Sequence, residues 1–147
     1  MNKLLLLITV IVSMLLQFIV VAEASDVYVN MQRIRMIESS GNPRAYNVAS
    51  QARGLYQITP IVLTEWNNYH PRDTHTVDQL FSSVVNSKIA HWYMNYRIPQ
   101  MLRYYKVEDT VNNRLISYNA GIAYVVGNGR VLPSETVGYI RKYHNKQ

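Results

Sequence analysis

The chain carries the segment V-Y-V-N-M-Q-R-I-R-M-I-E-S-S-G-N-P-R-A at residues 27–45, in which an apolar helix face ends in an acid. Val27, Met31 and Ile34 follow one another at spacings of four and three, which predicts an amphipathic helix packed on a core. Glu38 occupies the next position of that stripe, where burial disfavours the ionised carboxylate and raises its pKa. A carboxyl that holds its proton near neutral pH is suited to general acid catalysis. Glu38 is therefore the first candidate catalytic residue.

The same segment leaves a second interpretation of this acid open. Residues 39–43 follow at once and contain the glycine and proline signals that are typical of a helix end. In this interpretation Glu38 turns into solvent at the end of its helix and has no catalytic role.

The N-terminus is typical of an export signal. Lys3 supplies a positive charge, residues 4–22 form an apolar run, and an A-x-A cleavage site ends at Ala24. The prediction is a signal peptide at residues 1–24 and a single domain at residues 25–147, located in the periplasm, in the cell envelope or outside the cell. The apolar run is long enough to leave an uncleaved membrane anchor as the alternative.

Composition restricts the class of function. The chain has no cysteine, which excludes both a disulfide framework and a cysteine nucleophile. Its formal net charge of +6 favours an anionic polymer or surface as partner, and for an exported protein cell-wall polymers fit better than nucleic acid. Twelve tyrosines against two phenylalanines provide aromatic faces with hydroxyl groups, which suit a sugar-binding groove. No nucleic-acid partner is predicted.

Helix signals recur along the chain, whereas strand patterns do not. Thr59 before Pro60 predicts an N-cap with proline at the first helical position, and residues 76–79 predict a capping box. That box opens a long helix, which Pro99 is predicted to end or kink. Further helices are predicted at residues 111–118, within residues 122–126, and from Pro133 through Tyr139. With a small ribbon at residues 47–58 as its only strand candidate, the predicted fold is an all-α, compact, single-domain orthogonal bundle.

Signatures of several other chemistries are missing from the sequence. The four histidines form no H-E-x-x-H pair, and no G-x-S-x-G elbow or glycine-rich phosphate loop occurs, so no metal or cofactor is predicted. A glycosidase normally pairs two carboxylates, yet the other acids lie at predicted helix starts or in polar turns. These acids are Asp26, Glu65, Asp73, Asp78, Glu108, Asp109 and Glu135. No second carboxylate stands out beside Glu38.

Four motifs occur in the order and spacing of a known family. E-S-S-G-N-P-R-A at residues 38–45 and A-R-G-L-Y-Q-I at residues 52–58 resemble motifs of the soluble lytic transglycosylases. S-Y-N-A-G at residues 117–121 and the proline-x-glutamate-threonine segment at residues 133–139 resemble two more. The similarity extends over about residues 26–143, which is nearly the whole predicted domain.

This resemblance implies a lysozyme-like helical fold, α+β at most, with a substrate cleft. It implies cleavage of the β-1,4 bond between N-acetylmuramic acid and N-acetylglucosamine in peptidoglycan by a single glutamate. Glu38 would protonate the leaving oxygen and then take the proton of the muramic 6-hydroxyl, giving a 1,6-anhydro product. The implied partner is the peptidoglycan glycan strand. A secretion, conjugation or phage apparatus is a candidate partner by analogy alone, and a membrane only through an uncleaved N-terminal segment.

Six further residues match family positions that bind substrate or line the cleft. By position they are Ser39, Tyr56, Gln57, Tyr118, Asn119 and Tyr139. Tyr56 departs from the family, which commonly has methionine there, although its ring also offers a wall for a sugar. The other five each have an alternative role in folding: a helix-terminal cap for Ser39, a hydrogen bond to the backbone for Gln57, core packing for Tyr118 and Tyr139, and a left-handed turn for Asn119.

Three other functions remain open from the sequence. One is a hydrolytic muramidase on the same fold, which would use water in place of the internal hydroxyl. Another is a non-catalytic wall-binding or assembly protein in which Glu38 is only structural. The third is a basic membrane-active protein.

Overall fold

The computed structural model describes residues 27–127 and 130–145, so the predicted signal peptide or anchor lies outside the described residues. The α-helices of these ranges are α1 Met31–Ser39, α2 Pro60–Tyr69, α3 Ser83–Trp92, α4 Ile98–Tyr104, α5 Val111–Asn119, α6 Ala123–Val126 and α7 Ser134–His144. A 3₁₀ turn at Asp78–Phe81 precedes α3, and a π-helical segment at Tyr93–Arg97 joins α3 to α4. No sheet forms in the described ranges, which confirms the predicted fold class. None of the helices in these described ranges is both long and apolar enough to cross a bilayer.

Helix α1 begins one turn later than its apolar stripe predicts. Asn30 is the N-cap, and its side-chain oxygen accepts a hydrogen bond of 3.2 Å from the Arg33 backbone N–H, so Val27 lies before the helix. Met31 and Ile34 are buried, as the stripe predicts, and Ile34 is completely inaccessible to solvent. The core-facing side of α1 was therefore predicted correctly, and only its start was wrong.

Helix α2 begins as predicted, whereas α3 does not. The Thr59 side chain accepts a hydrogen bond of 3.4 Å from the backbone N–H of Val62, with proline in the first turn. The Gln79 side chain accepts one of 2.8 Å from the Thr76 backbone N–H, which is half of the predicted capping box. This box opens only the 3₁₀ turn, because the extended backbone at Ser82 separates it from α3.

The helical path continues past Pro99, so of the two predicted outcomes, an end or a kink, the end is wrong. Pro99 lies in the first turn of α4, directly after the π-helical segment. A proline lacks the backbone N–H that would bond to the preceding turn, and it is tolerated at the start of a helical segment for that reason. The wider π-helical turn precedes the position at which that bond is lost.

The predicted ribbon is reduced to two isolated antiparallel bridges, Tyr46 with Arg53 and Arg53 with Ile58. Arg53 and Ile58 exchange two backbone hydrogen bonds of 3.0 Å. At the tip, the Asn47 side-chain oxygen accepts hydrogen bonds from the backbone N–H groups of residues 49 and 50, at 3.0 and 3.1 Å. Side-chain bonding of this kind stabilises a tight turn without a longer ladder.

A buried asparagine fixes the ribbon against α3. Asn86 is completely inaccessible to solvent, and its Oδ1 accepts a hydrogen bond of 2.8 Å from the Tyr56 backbone N–H. Its Nδ2 donates to the carbonyl oxygens of Arg53 and Leu80, at 2.8 and 2.9 Å. Because a buried amide is stable only when its polar atoms are bonded, this network holds residues 53–56 in one conformation.

Candidate active site

A cavity of about 480 Å³ lies between the end of α1, the ribbon, α5 and α7. Glu38 lines it from the last turn of α1, and Gln57 lines it from the ribbon. Tyr118 and Asn119 line it from the end of α5, and Tyr139 lines it from α7. Four of the six predicted substrate residues therefore share one cavity with the predicted acid.

Glu38 faces this cavity because α1 ends directly after it. Ser40 adopts a left-handed backbone conformation with φ 53°, which closes the helix. Burial is the main cause that raises the pKa of Glu38 from 4.5 to about 7. The nearby Tyr139 hydroxyl lowers this pKa, and the negative charge of Glu135 raises it further. The alternative of an acid turned freely into solvent does not fit this placement.

The Tyr139 hydroxyl lies close to Glu38 without a formed hydrogen bond. It acts on the Glu38 pKa as a donor would, yet the buried oxygen has no hydrogen-bond partner among the described residues. Burial and the nearby carboxylate together hold the pKa of Tyr139 well above its usual value, so this group remains protonated. An unpaired buried hydroxyl is costly, and this one is available to a ligand or to Glu38 itself.

Tyr139→Phe is expected to raise the pKa of Glu38 above about 7, because it removes the hydroxyl that stabilises the carboxylate. The measurement is a titration of the Glu38 carboxyl carbon by NMR, in the parent protein and in the variant. Tyr104→Phe, at an exposed position outside the cavity, is the matched control and should leave this pKa unchanged. An unchanged or lowered Glu38 pKa in Tyr139→Phe would contradict the assigned contact.

The wall formed by α5 is held by two hydrogen bonds. The Tyr118 hydroxyl donates to the Tyr56 backbone carbonyl at 2.8 Å, and burial raises its pKa well above the usual value. The Asn119 Oδ1 accepts a hydrogen bond of 2.8 Å from the hydroxyl of the buried Thr136. Its amide NH₂ group makes no hydrogen bond to the described residues, so it can donate to a ligand in the cavity.

Gln57 lines the opposite wall with a constrained backbone. Its φ of 49° lies in the left-handed region, and its Nε2 donates to the carbonyl oxygens of Gly54 and Ala45, at 3.1 and 3.3 Å. The amide nitrogen is thus used in hydrogen bonds to backbone carbonyl groups of the ribbon. The side-chain oxygen is left as an acceptor beside the cavity.

Ser39 and Tyr56 do not line the cavity of Glu38. The Ser39 hydroxyl donates to the Leu55 carbonyl oxygen at 2.8 Å and anchors the end of α1. The Tyr56 ring is 5% exposed, belongs to the core and packs edge-on against His91 at 6.0 Å between centroids. The predicted sugar-facing role of this ring does not fit its placement, because the core draws the aromatic side chain inward. Tyr56 contributes its carbonyl, which holds the Tyr118 hydroxyl.

Two charged residues of α7 line the same cavity, and the sequence analysis missed them. Glu135 and Lys142 are both exposed, and each lies on the face of α7 that also carries Tyr139. The spacings of four and three residues were a signal for this, because such positions share one helix face. Glu135 had been set aside as an acid at a helix start.

The described part of the chain contains no group of three or more histidine and acidic residues placed to hold a metal ion. The charged side chains in the lining of the cavity are Glu38, Glu135 and Lys142, and the other polar lining residues are neutral hydrogen-bonding groups.

An all-helical domain with an acid of raised pKa in a polar groove is compatible with the lysozyme-like class of glycan-cleaving proteins. The chain belongs to the family described as Transglycosylase SLT domain, whose model matches residues 24–131. At the level of the family, this supports lytic transglycosylase activity on peptidoglycan and an exported location. Helix α7 lies beyond the matched residues. No curated protein and no solved structure matches the chain.

Proposed function

We propose that this protein cleaves the β-1,4 bond between N-acetylmuramic acid and N-acetylglucosamine and leaves a 1,6-anhydromuramic end, with Glu38 as its only acid and base. The observation that carries the proposal is the Glu38 carboxyl, which lines the cavity with a pKa of about 7. A group that titrates near the working pH is effective both as a proton donor and as a proton acceptor.

The single carboxyl of Glu38 carries out both proton transfers. Protonated Glu38 gives its proton to the glycosidic oxygen while the C1–oxygen bond breaks and the muramic N-acetyl oxygen bonds to C1. The Glu38 carboxylate then takes the proton of the 6-hydroxyl, whose oxygen bonds to C1 and displaces the N-acetyl oxygen. No water is consumed, and Glu38 ends in its starting state.

The neutral groups of the cavity supply the contacts that hold the sugar. The Asn119 NH₂ and the Tyr139 hydroxyl are free to donate hydrogen bonds, and the Gln57 oxygen is free to accept one. Tyr118 stiffens the wall through its bond to the backbone. A few placed donors and acceptors of this kind orient a polar ligand in a groove.

The position of Glu135 supports a second candidate function, which is hydrolysis of the glycan by a muramidase mechanism. This residue lines the same cavity as Glu38, and hydrolytic glycosidases use a second carboxylate to activate water. In that mechanism Glu135→Gln would abolish turnover, whereas the single-acid mechanism retains it. A non-catalytic wall-binding role would give no turnover in the parent protein at all.

Mass spectrometry of digested peptidoglycan tests these functions against one another. We expect muramic products lighter by one water than hydrolysis products, from the parent and from Glu135→Gln. Reducing muramic ends, together with loss of turnover in Glu135→Gln, would replace the transglycosylase with the muramidase. Binding to the wall without any soluble product from the parent would leave only the wall-binding role.

The activity is expected to decline as the pH rises through about 7, because kcat/KM requires the protonated form of Glu38 in the free enzyme. Glu135→Gln is expected to move this decline to lower pH, since loss of a neighbouring negative charge stabilises the Glu38 carboxylate. The measurement is kcat/KM on soluble glycan strands across the pH range, with Glu108→Gln as an acid-to-amide control outside the cavity. A decline centred near 4.5, the ordinary value of a glutamate, would contradict the raised pKa of Glu38.

We propose further that cleavage after Ala24 releases the domain into the periplasm or cell envelope. The support is the apolar run that precedes this site and the family match that begins at residue 24. N-terminal sequencing of the exported protein tests this, and an intact N-terminus in the membrane fraction would favour the anchor.

A further inference from the structure

A second cavity, of about 510 Å³, adjoins the first along α1 and α7. Ile37 and Lys142 line both cavities, so the two are separated by no more than these shared side chains. A ligand that fills the first cavity can therefore extend into the second over Ile37 and Lys142.

The second cavity is positively charged. Arg33 and Lys142 are the charged side chains in its lining, and no acid lines it. Within the described residues neither of them forms an ion pair with a carboxylate. The Arg33 Nη1 donates a hydrogen bond of 3.0 Å to the carbonyl oxygen of Tyr143. Because this oxygen is uncharged, the bond positions the guanidinium and leaves its positive charge without a counter-charge. The first cavity, in contrast, contains the two acids Glu38 and Glu135.

Arg33, which lines this cavity, is held by contacts with Tyr143, a core residue that lies outside the lining. Tyr143 is 6% exposed, and its hydroxyl accepts a hydrogen bond of 2.8 Å from the Asn30 backbone N–H. The Arg33 guanidinium lies 5.8 Å from the centroid of the Tyr143 ring. These contacts tie the start of α1 to the end of α7, so that a ligand meets Arg33 in a fixed position and little ordering cost is added on binding.

We infer that the second cavity binds the stem peptide of a muramic residue held in the first, with Arg33 and Lys142 facing the peptide carboxylates. The inference rests on the proposed function, because it takes a peptidoglycan strand as the ligand. In a strand that retains its peptides the lactyl carboxyl of each muramic residue is tied up in the amide to the peptide, so the free carboxylates are carried by the peptide, at a distance from the sugar ring. Attraction between these carboxylates and the two cations would make the enzyme prefer strands that retain their peptides.

The test compares kcat/KM on strands that carry stem peptides with kcat/KM on amidase-treated strands in which each freed lactyl carboxylate has been converted to a neutral amide. We expect the parent to prefer the peptide-bearing strands by about twofold to fivefold, the range for partly exposed charge pairs. Lys142→Gln should lose most of this preference, and Lys142→Arg should retain it. Arg103→Gln, which removes a positive charge outside both cavities, is the matched control. Because Lys142 also lines the first cavity, the ratio of the two substrates is the readout rather than the absolute rate.

A binding measurement separates failure of this inference from failure of the proposed function. Calorimetry with the Glu38→Gln protein compares a muramic disaccharide that carries a tripeptide with the same disaccharide in which the lactyl carboxyl is a simple neutral amide. Tighter binding of the peptide form, lost on adding Lys142→Gln and weakened by salt, supports the inference even if no turnover is found. Equal binding of the two ligands, or an undiminished preference in Lys142→Gln, overturns it while leaving the transglycosylase reaction intact.

Discussion

Glu38→Gln is expected to lower the turnover of peptidoglycan by at least about 100-fold, in line with the loss of a general acid–base group. The amide has nearly the same shape as the protonated carboxyl, but it cannot give a proton to the leaving oxygen or take one from the 6-hydroxyl. Release of soluble muropeptides from purified cell walls measures the effect. Because the side chain keeps its volume, the fold and the binding of glycan should persist.

Glu108→Gln is the matched control for this substitution, since Glu108 is an exposed acid outside the cavity. It should retain the activity of the parent protein. Turnover by Glu38→Gln close to that of the parent would show that another group carries the proton, and Glu135 would then be the first alternative in the same cavity.

Gly54→Ala is expected to destabilise the fold by about 3 kcal/mol, through backbone strain and overpacking together. Gly54 has φ 78°, which side chains rarely adopt, and a Cβ there would collide with the Leu80 carbonyl oxygen and the Asn86 amide. Asn86 cannot move away without giving up the bonds that fix the ribbon. Urea unfolding measures the change, and the displaced ribbon should also reduce activity, because it carries Gln57.

Two other glycines separate the causes of this effect. Gly121 has φ 93° but nothing within 4 Å of an added Cβ, so Gly121→Ala should cost only the strain, about 1 kcal/mol. Gly138 lies inside α7 with nothing within 4 Å, so Gly138→Ala should be neutral or stabilising by about 0.5–1 kcal/mol. If Gly54→Ala cost no more than Gly121→Ala, the collision with Asn86 would be absent.

The parts of the fold that sequence predicted correctly depend on local interactions. Thr59 caps α2 through the backbone three residues ahead, and the end of α1 follows from the left-handed turn at Ser40. The start of α3 was predicted wrongly, and of the two outcomes predicted at Pro99, an end or a kink, the end was wrong. Both depend on how adjoining segments join. The capping signal at Thr76 opens only a single 3₁₀ turn, and the local sequence pattern does not distinguish this from the start of a long helix.

The site was predictable where a motif and a periodicity agree. Glu38 was found from the apolar stripe of α1, and family resemblance supplied the residues that line its cavity. Glu135 was missed because an acid is common at the start of a helix and needs no functional site to account for it. Its spacing of four residues from Tyr139 nevertheless indicated that the two share a helix face. The position of Tyr56 was not predictable, since a tyrosine suits a sugar wall and a core equally, and only the packing against His91 distinguishes them.

The most direct test of the central claim is the titration of the Glu38 carboxyl by carbon NMR, with Glu38→Gln to assign its resonance. We expect a midpoint at about pH 7, because burial of the carboxyl at the end of α1 disfavours its charge. A midpoint near the ordinary value of 4.5 would mean that Glu38 is ionised at neutral pH and cannot serve as the proton donor.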